Sequence, residues 1–137
     1  MHASAVAAHG QAILILGATG AGKSALSLQL MALGAGLIAD DQCVIGPPEG
    51  GAGAPRISAP PNLPHLIEAH GLGLLRAQLA PPAPLALIVD LNHTETHRLP
   101  PRRHARVMGI EIALVHNVAH SHFPAALLQY IKGGRDA

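Results

Sequence analysis

The chain has 137 residues and a formal net charge of +1, and 49% of its residues are hydrophobic but only 1% aromatic. That length predicts one domain, residues 1–137, with an aliphatic core. The low charge and the lack of aromatic side chains exclude a general nucleic-acid-binding protein. No apolar run is long enough to span a membrane, the start lacks a signal-peptide pattern, and Cys43 is the single cysteine, so we expect a cytoplasmic protein.

Short apolar runs alternate with amphipathic stretches along the chain. Strands are predicted at 12–17, 36–41, 85–91 and 107–115, because each is a short and nearly continuous apolar run. Helices are predicted at 23–34, at the start of 65–79 and at 123–134, with glycines as stop signals. The Pro/Gly-rich stretch 46–64 and the polar, basic stretch 92–106 are predicted to be surface loops. This alternation predicts an α/β fold with a sheet flanked by helices.

The segment between the first strand and the first helix is a phosphate-binding loop. Residues 17–24 read GATGAGKS and satisfy the P-loop pattern G-x-x-x-x-G-K-[ST]. Backbone amides of such a loop bind phosphate oxygens, its lysine reaches the β- and γ-phosphates, and its serine hydroxyl binds Mg²⁺. We therefore expect a nucleotide and Mg²⁺ to bind here, with nucleotide contacts from Gly17, Ala18, Thr19, Gly20, Ala21, Gly22, Lys23 and Ser24.

Two predicted strands end in an aspartate that could complete the magnesium site. One ends at Asp40, followed by Asp41, and the other ends at Asp90. The pattern leaves both open. The strand after the P-loop helix is expected to lie beside the P-loop strand. Neighbouring strand residues point to opposite faces, so one of Asp40 and Asp41 could face the cation and the other an acceptor group.

Three segments, in order, resemble the catalytic domain of the HPr kinase/phosphorylase family. They are the P-loop, GLIADDQCV at 36–44 and PPNLPHLIEAHGLGLL at 60–75, where the family has the form xEIRGLGxx. The start HASAV and the segments HRLPP and MGIEIALV are similar to the short, single-domain members from α-proteobacteria. The resemblance extends from residue 2 to about residue 115. It implies a P-loop kinase-type sheet, similar to the core of HPr kinase/phosphorylase and of phosphoenolpyruvate carboxykinase.

The resemblance also implies an activity and a set of site residues. The activity is ATP-dependent phosphorylation of a serine in HPr or an HPr-like phosphocarrier protein of the phosphotransferase system. Asp41 would accept the proton of the target hydroxyl, His2 would lie against Asp41, and Arg98 would lie near the transferring group. Lys23 would bind the phosphates, and the magnesium residues would be Ser24, Asp40 and Glu68.

The sequence differs from the longer members of that family in two places. His70 stands where the family has an arginine, and the stretch LVHNVAHSHFP at 114–124 lacks the arginines of a basic segment tied to dephosphorylation. Long members also run the reaction in reverse and form homo-oligomers, so phosphorolysis and self-association are open alternatives for this chain.

Ten histidines are many for a chain of this length. His93, His97, His116, His120 and His122 have spacings that could hold zinc, but no cysteine or carboxylate stands at a metal-binding spacing, so surface histidines are the default interpretation. Arg102, Arg103 and Arg106 could bind an anion or simply be solvated. Cys43 is expected to pack at a strand end.

The leading hypothesis is therefore an HPr-type protein-serine kinase with no nucleic-acid or membrane partner. One alternative is a small-molecule P-loop kinase or NTPase that uses Asp90 as its metal ligand. The other is a non-catalytic module that binds ATP and regulates a partner.

Overall fold

A computed structural model describes all residues, 1–137. Ten strands and two α-helices follow one another along the chain. The strands are β1 (Ser4–Ala8), β2 (Gln11–Leu16), β3 (Gly36–Ala39), β4 (Val44–Gly46), β5 (Arg56–Ser58), β6 (Leu66–Ala69), β7 (Gly73–Arg76), β8 (Ala83–Thr94), β9 (Arg103–Val107) and β10 (Ile110–Asn117). The helices are α1 (Lys23–Ala32) and α2 (Phe123–Gly133), and Glu49–Gly51 form one turn of 3-10 helix.

A mixed sheet with the strand order β3-β1-β2-β8-β10-β9 forms the centre of the molecule. Strand β8 pairs in parallel with β2 and β10, whereas the other neighbours in this row are antiparallel. The expectation that the strand after the P-loop helix lies beside the P-loop strand is wrong, because β1 lies between β2 and β3. Strand β1 occupies that place through a two-residue turn at His9 (φ 51°) and Gly10 (φ 72°), a geometry typical of tight hairpins.

The two faces of the sheet bury separate aliphatic clusters. Both helices pack on one face, where Leu26, Leu30 and Leu127 contact strand residues such as Ile13 and Val89. The opposite face packs against β4, β5 and the loops around them. The fold is thus α/β with a central sheet and flanking helices, as predicted. Neither helix is long and apolar enough to cross a membrane.

Helix α1 begins at Lys23, within the P-loop, and is followed by a glycine stop, as its sequence predicts. Its buried residues include Lys23, Leu26 and Leu30, which recur at the helical period. At its end Gly34 has φ 108°, its N–H donates to the Met31 carbonyl, and the N–H of Ala35 donates to the Leu30 carbonyl. This pattern is a Schellman motif, in which glycine relieves the strain of the left-handed residue.

The helix predicted at the start of 65–79 is wrong, since this segment forms the antiparallel hairpin of β6 and β7. Gly71 (φ 86°) and Gly73 (φ 131°) have backbone angles that no helix allows. Ile67 is buried whereas Glu68 is exposed, which is the alternation of a strand. The apolar spacing therefore reported a two-residue period rather than a helical one.

The loop predicted at 92–106 and the strand predicted at 107–115 also need correction. Strand β8 continues through Asp90 to Thr94, and β9 begins at Arg103, within the end of the predicted loop. Met108 (φ 49°) and Gly109 (φ 80°) form a two-residue turn between β9 and β10, so residues 107–115 are not one strand. The stretch 46–64 is not wholly a loop either, because β5 lies within it and pairs with β4 and β8.

Candidate active site

The P-loop lies between β2 and α1 and surrounds a buried lysine. Gly20 (φ 85°) and Gly22 (φ 106°) adopt backbone angles that favour glycine. The Lys23 ammonium donates to the carbonyls of Gly17 (2.8 Å) and Ala18 (3.3 Å) and forms no salt bridge with a carboxylate. Because a buried positive charge is costly without an anionic partner, this loop fits a phosphate group.

Asp40 connects three elements around the first residues of α1. Its Oδ1 accepts hydrogen bonds from the hydroxyls of Ser24 and Ser4, both at 2.8 Å, and its Oδ2 accepts one from the backbone N–H of Glu68 at 3.2 Å. Helix α1, strand β1 and strand β6 therefore meet at one carboxylate at the end of β3. A half-buried carboxylate with three donors is held in a single orientation.

The oxygen atoms at this carboxylate suit a magnesium ion. Mg²⁺ prefers oxygen ligands and binds through one or two carboxylates together with phosphate oxygens. The Ser24 hydroxyl and the Asp40 carboxylate lie side by side next to the P-loop, and the backbone of Glu68 lies against Asp40. The donor set therefore fits Mg²⁺ bound together with a nucleotide.

Asp41 has partners that differ from those of Asp40. Its Oδ1 lies 2.6 Å from Nε2 of His2, and 61% of its side chain is exposed. Its backbone is fixed, because its N–H donates to the Ser4 hydroxyl and its carbonyl accepts from the N–H of Ala3. Asp41 has φ 70°, a left-handed angle that turns the chain just after the end of β3. The two neighbouring aspartates therefore have different partners: Asp40 contacts the P-loop serine, and Asp41 contacts a histidine and is exposed to solvent.

The first residues of the chain pair with the segment after β3, and this pairing places His2. The N–H of Cys43 donates to the Met1 carbonyl at 2.9 Å, and Ala3 pairs with Asp41 as described. Cys43 is buried and its Sγ donates to the Ala3 carbonyl. Burial raises the pKa of the Cys43 thiol to about 12, so the side chain packs as a neutral group at physiological pH.

Asp90 forms no hydrogen bond or ion pair with the P-loop serine or lysine. Its Oδ1 accepts from the N–H of Asn92, and its Oδ2 lies 2.7 Å from Nδ1 of His93. Asn92 in turn accepts a hydrogen bond from the N–H of Ala18 in the P-loop. Of the two aspartates that the sequence left open, only Asp40 lies against the P-loop serine.

Arg98 lines a separate cleft of about 520 Å³ and forms no hydrogen bond or ion pair with Asp41 or the P-loop. A second cleft, of about 270 Å³, borders the P-loop at Ala21 and Gly22. The two clefts share Val118, Ala119 and His120 in their walls. Arg98 therefore lies near the P-loop cleft without contacting the two aspartates.

Two of the three other arginines of the predicted basic loop have structural partners. Arg102 donates to the carbonyls of Arg135 and Asp136, and Arg103 forms an ion pair with Glu95 at 3.0 Å. Both guanidinium groups therefore have partners within the protein and need no bound anion. The role of Arg106 in anion binding stays a hypothesis.

Glu95 lines the same cleft as Arg98, and its carboxyl has a shifted pKa. Burial raises the pKa of its carboxyl, but hydrogen bonds from the backbone of His97 and Thr96 and from the side chains of Arg103 and His97 outweigh it and lower the pKa from 4.5 to about 2. Glu95 should therefore stabilise the fold fully above pH 4.5 and lose that effect as the pH falls towards 2.

We expect Glu95→Gln to lower the midpoint of thermal unfolding at pH 7, because Arg103 loses its anionic partner. The difference between the native protein and the variant should shrink between pH 4.5 and pH 2, as Glu95 becomes protonated in the native protein. Unfolding followed by circular dichroism across this pH range measures it. A difference that does not change with pH would contradict the ion pair.

Two residues at the site were not singled out by the sequence, Ser4 and Asn92. Ser4 lies in a strand whose partner is set by the fold, and a lone serine in an apolar run carries no local signal. Asn92 is the first amide after an apolar run, a position where polar side chains often reach a ligand-binding edge. Of the two residues, only Asn92 could have been found from the sequence.

Known proteins share sequence similarity with most of this chain. A family model described as "HPr Serine kinase C-terminal domain" matches residues 1–112. The HPr kinase/phosphorylase of Cupriavidus metallidurans is 36% identical over 122 residues, covering 77% of this chain and 36% of that protein. The enzyme of the same name from Lacticaseibacillus casei is 40% identical over 84 residues, covering 55% of this chain and 23% of that protein. The chain thus spans about a third of the length of the first of these relatives.

A solved structure shares the fold. The HPr(Ser) kinase/phosphatase from Coxiella burnetii superposes with a TM-score of 0.75 over 96% of this chain and 93% of that chain, at 20% sequence identity. The strand order and the helix positions described above are therefore those of a known α/β fold.

Proposed function

Since the chain belongs to the HPr serine kinase C-terminal domain family, we propose that it is a protein-serine kinase. It uses ATP and Mg²⁺ and phosphorylates HPr or an HPr-like phosphocarrier protein. The observation that carries the proposal is the pair of aspartates after β3. Asp40 contacts the P-loop serine, while the neighbouring Asp41 contacts His2 and is open to solvent.

The P-loop binds the phosphates of ATP in this proposal. Its backbone amides and Lys23 balance the negative charge, and the buried position of Lys23 strengthens that interaction because little water screens it. Ser24, Asp40 and Glu68 would hold Mg²⁺, which would supply positive charge to neutralise the phosphates. Asp40 already orients the Ser24 hydroxyl at 2.8 Å.

Asp41 acts on the acceptor. The serine hydroxyl of the phosphocarrier enters from solvent, and the exposed Asp41 carboxylate accepts its proton as the oxygen attacks the γ-phosphorus. The bond between the γ-phosphorus and the bridging oxygen breaks, ADP leaves, and the serine becomes a phosphoserine. His2 contacts the same carboxylate and positions it, since the 2.6 Å contact restricts the rotation of Asp41.

Arg98 contributes from the adjoining cleft. We place it near the transferring phosphoryl group because its cleft shares a wall with the cleft beside the P-loop. A guanidinium there would stabilise negative charge in the transition state. We propose the forward reaction only, since residues 114–124 lack the arginines of the segment tied to phosphorolysis in the longer family members.

The proposal is tested by phosphoryl transfer to a purified HPr-like phosphocarrier. Radiolabelled ATP and Mg²⁺ are incubated with the protein, and the labelled product is located by mass spectrometry. We expect label on one serine of the phosphocarrier and none after chelation of Mg²⁺. A carrier in which that serine is replaced by alanine is the matched control.

Two results would favour the alternatives. If the carrier stays unlabelled while a metabolite in a small-molecule panel is phosphorylated, the chain is a small-molecule kinase. If ATP binds but neither class of acceptor is labelled and no ATP is hydrolysed, the chain is an ATP-binding regulatory module. Either result overturns the protein kinase proposal.

A further inference from the structure

A second cluster of metal-binding side chains lies at the ends of β8 and β10. It consists of Asp90, His93 and His116, whose ligand atoms all lie within 4.8 Å of one another. Asp90 and His116 are Cα partners in the parallel pairing of these strands. Directly after this pair the register shifts, and the residues between Asp90 and Thr94 bulge, which brings His93 back over Asp90.

The sequence offered no carboxylate at a metal-binding spacing, which argued against a zinc site. In the structure the bulge brings His93 next to the Asp90 carboxylate. Asp90 Oδ2 lies 2.7 Å from Nδ1 of His93, and the rings of His93 and His116 stack with centroids 5.1 Å apart. The three residues come from two strands, so no spacing within a single segment announces them. Pairing across the sheet assembles the cluster.

The chemistry of this cluster differs from that of the P-loop site. Two imidazoles and one carboxylate suit Zn²⁺, Co²⁺ and related ions, and three protein ligands leave positions open for water. Mg²⁺ prefers an all-oxygen shell, so it should not compete here. The other oxygen of Asp90 accepts from the Asn92 N–H, which orients the carboxylate as outer hydrogen bonds do in metal sites.

We propose that Asp90, His93 and His116 form a binding site for one divalent transition-metal ion of the zinc class, separate from the Mg²⁺–ATP site. The cluster is reachable from solvent, because 65% of the His93 side chain and 18% of the Asp90 side chain are exposed. Asn92 links it to the P-loop, since its N–H bonds to Asp90 and its side chain accepts from Ala18. A bound ion would therefore lie two hydrogen bonds from the phosphate-binding loop.

The test is titration of the whole chain with Co²⁺, in the presence of excess Mg²⁺, followed by visible absorption. Isothermal titration calorimetry with Zn²⁺ gives the stoichiometry and affinity. We expect one ion per chain and a Co²⁺ spectrum of low coordination number. Loss of an outer-shell partner alone lowers metal affinity about 10–100-fold, so His93→Gln with His116→Gln should lower it by at least about 100-fold.

His93→Gln alone is the second variant, because this exposed side chain can be changed without disturbing the core, and it should also weaken binding. The control is His120→Gln with His122→Gln, which removes the other stacked pair, with centroids 5.6 Å apart. The control should bind Zn²⁺ as the native chain does. The proposal is overturned if the native chain does not bind the ion, if the His93 and His116 variants bind it equally well, or if only the control loses binding. Asp90 and His93 would then be a simple hydrogen-bonded pair.

Discussion

Replacing Asp41 with asparagine should lower kcat for phosphoryl transfer to the phosphocarrier by about 10²–10⁴-fold, the usual contribution of a general base. Asparagine has nearly the same shape but cannot accept the hydroxyl proton. Binding of ATP should change little, because the Asp41 side chain contacts His2 and solvent and makes no hydrogen bond with the P-loop. Single-turnover kinetics gives the rate of transfer, and fluorescence titration with a nucleotide analogue gives the affinity.

Glu111→Gln is the matched control for this variant. Glu111 is an exposed carboxylate on β10 and forms no salt bridge, so its removal changes the net charge equally without touching the site. The control should keep the native rate. If Asp41→Asn transfers phosphate at the native rate, the proposed role is wrong. If its affinity for ATP falls as much as its kcat, Asp41 acts in nucleotide binding instead.

Asp40→Asn should lower kcat by about 10²-fold or more and raise the Mg²⁺ concentration needed for half-maximal activity. Losing one preorganised electrostatic partner of a transition state commonly has an effect of this size. The physical reason is that the Asp40 carboxylate accepts a hydrogen bond from the Ser24 hydroxyl at 2.8 Å and is itself a proposed magnesium ligand. Initial rates over a range of Mg²⁺ at saturating ATP measure both quantities.

Asp90→Asn is the comparison that decides between the two aspartates. Asp90 accepts hydrogen bonds from Asn92 and His93 and forms none with Ser24, so its substitution should shift the Mg²⁺ dependence less than Asp40→Asn does. The opposite order of effects would assign the magnesium to Asp90. Circular dichroism and thermal unfolding of both variants verify that each is folded.

The candidate site is assembled from segments that are far apart in the chain. Residues 1–4, the P-loop, the end of β3 and strand β6 all meet at the Asp40 and Asp41 carboxylates. Ser4 has a double role, since its hydroxyl donates to the Asp40 carboxylate and accepts from the Asp41 N–H. This one side chain keeps the two aspartates in fixed relative positions, so the proposed division between a metal residue and a base depends on it.

The sequence by itself determined the local parts of this protein. The P-loop, helix α1 with its glycine stop, and the apolar strands β2 and β3 were all readable, because each is set by neighbouring residues and the periodicity of apolar side chains. Asp40 and Asp41 were recognised as a pair for the same reason. The resemblance to a family added His2 and Glu68, which no local pattern would have selected.

Only the tertiary structure decided which strands pair and which carboxylate lies at the P-loop. Strand β1 lies between β2 and β3 and brings Ser4 and His2 to the aspartates, and the β8–β10 register brings His116 to Asp90. The hairpin of β6 and β7 stands where a helix was predicted, because Gly71 and Gly73 have left-handed backbone angles and burial alternates between Ile67 and Glu68. Strand partners are chosen by long-range packing and hydrogen bonding, and a run of neighbouring residues does not carry that information.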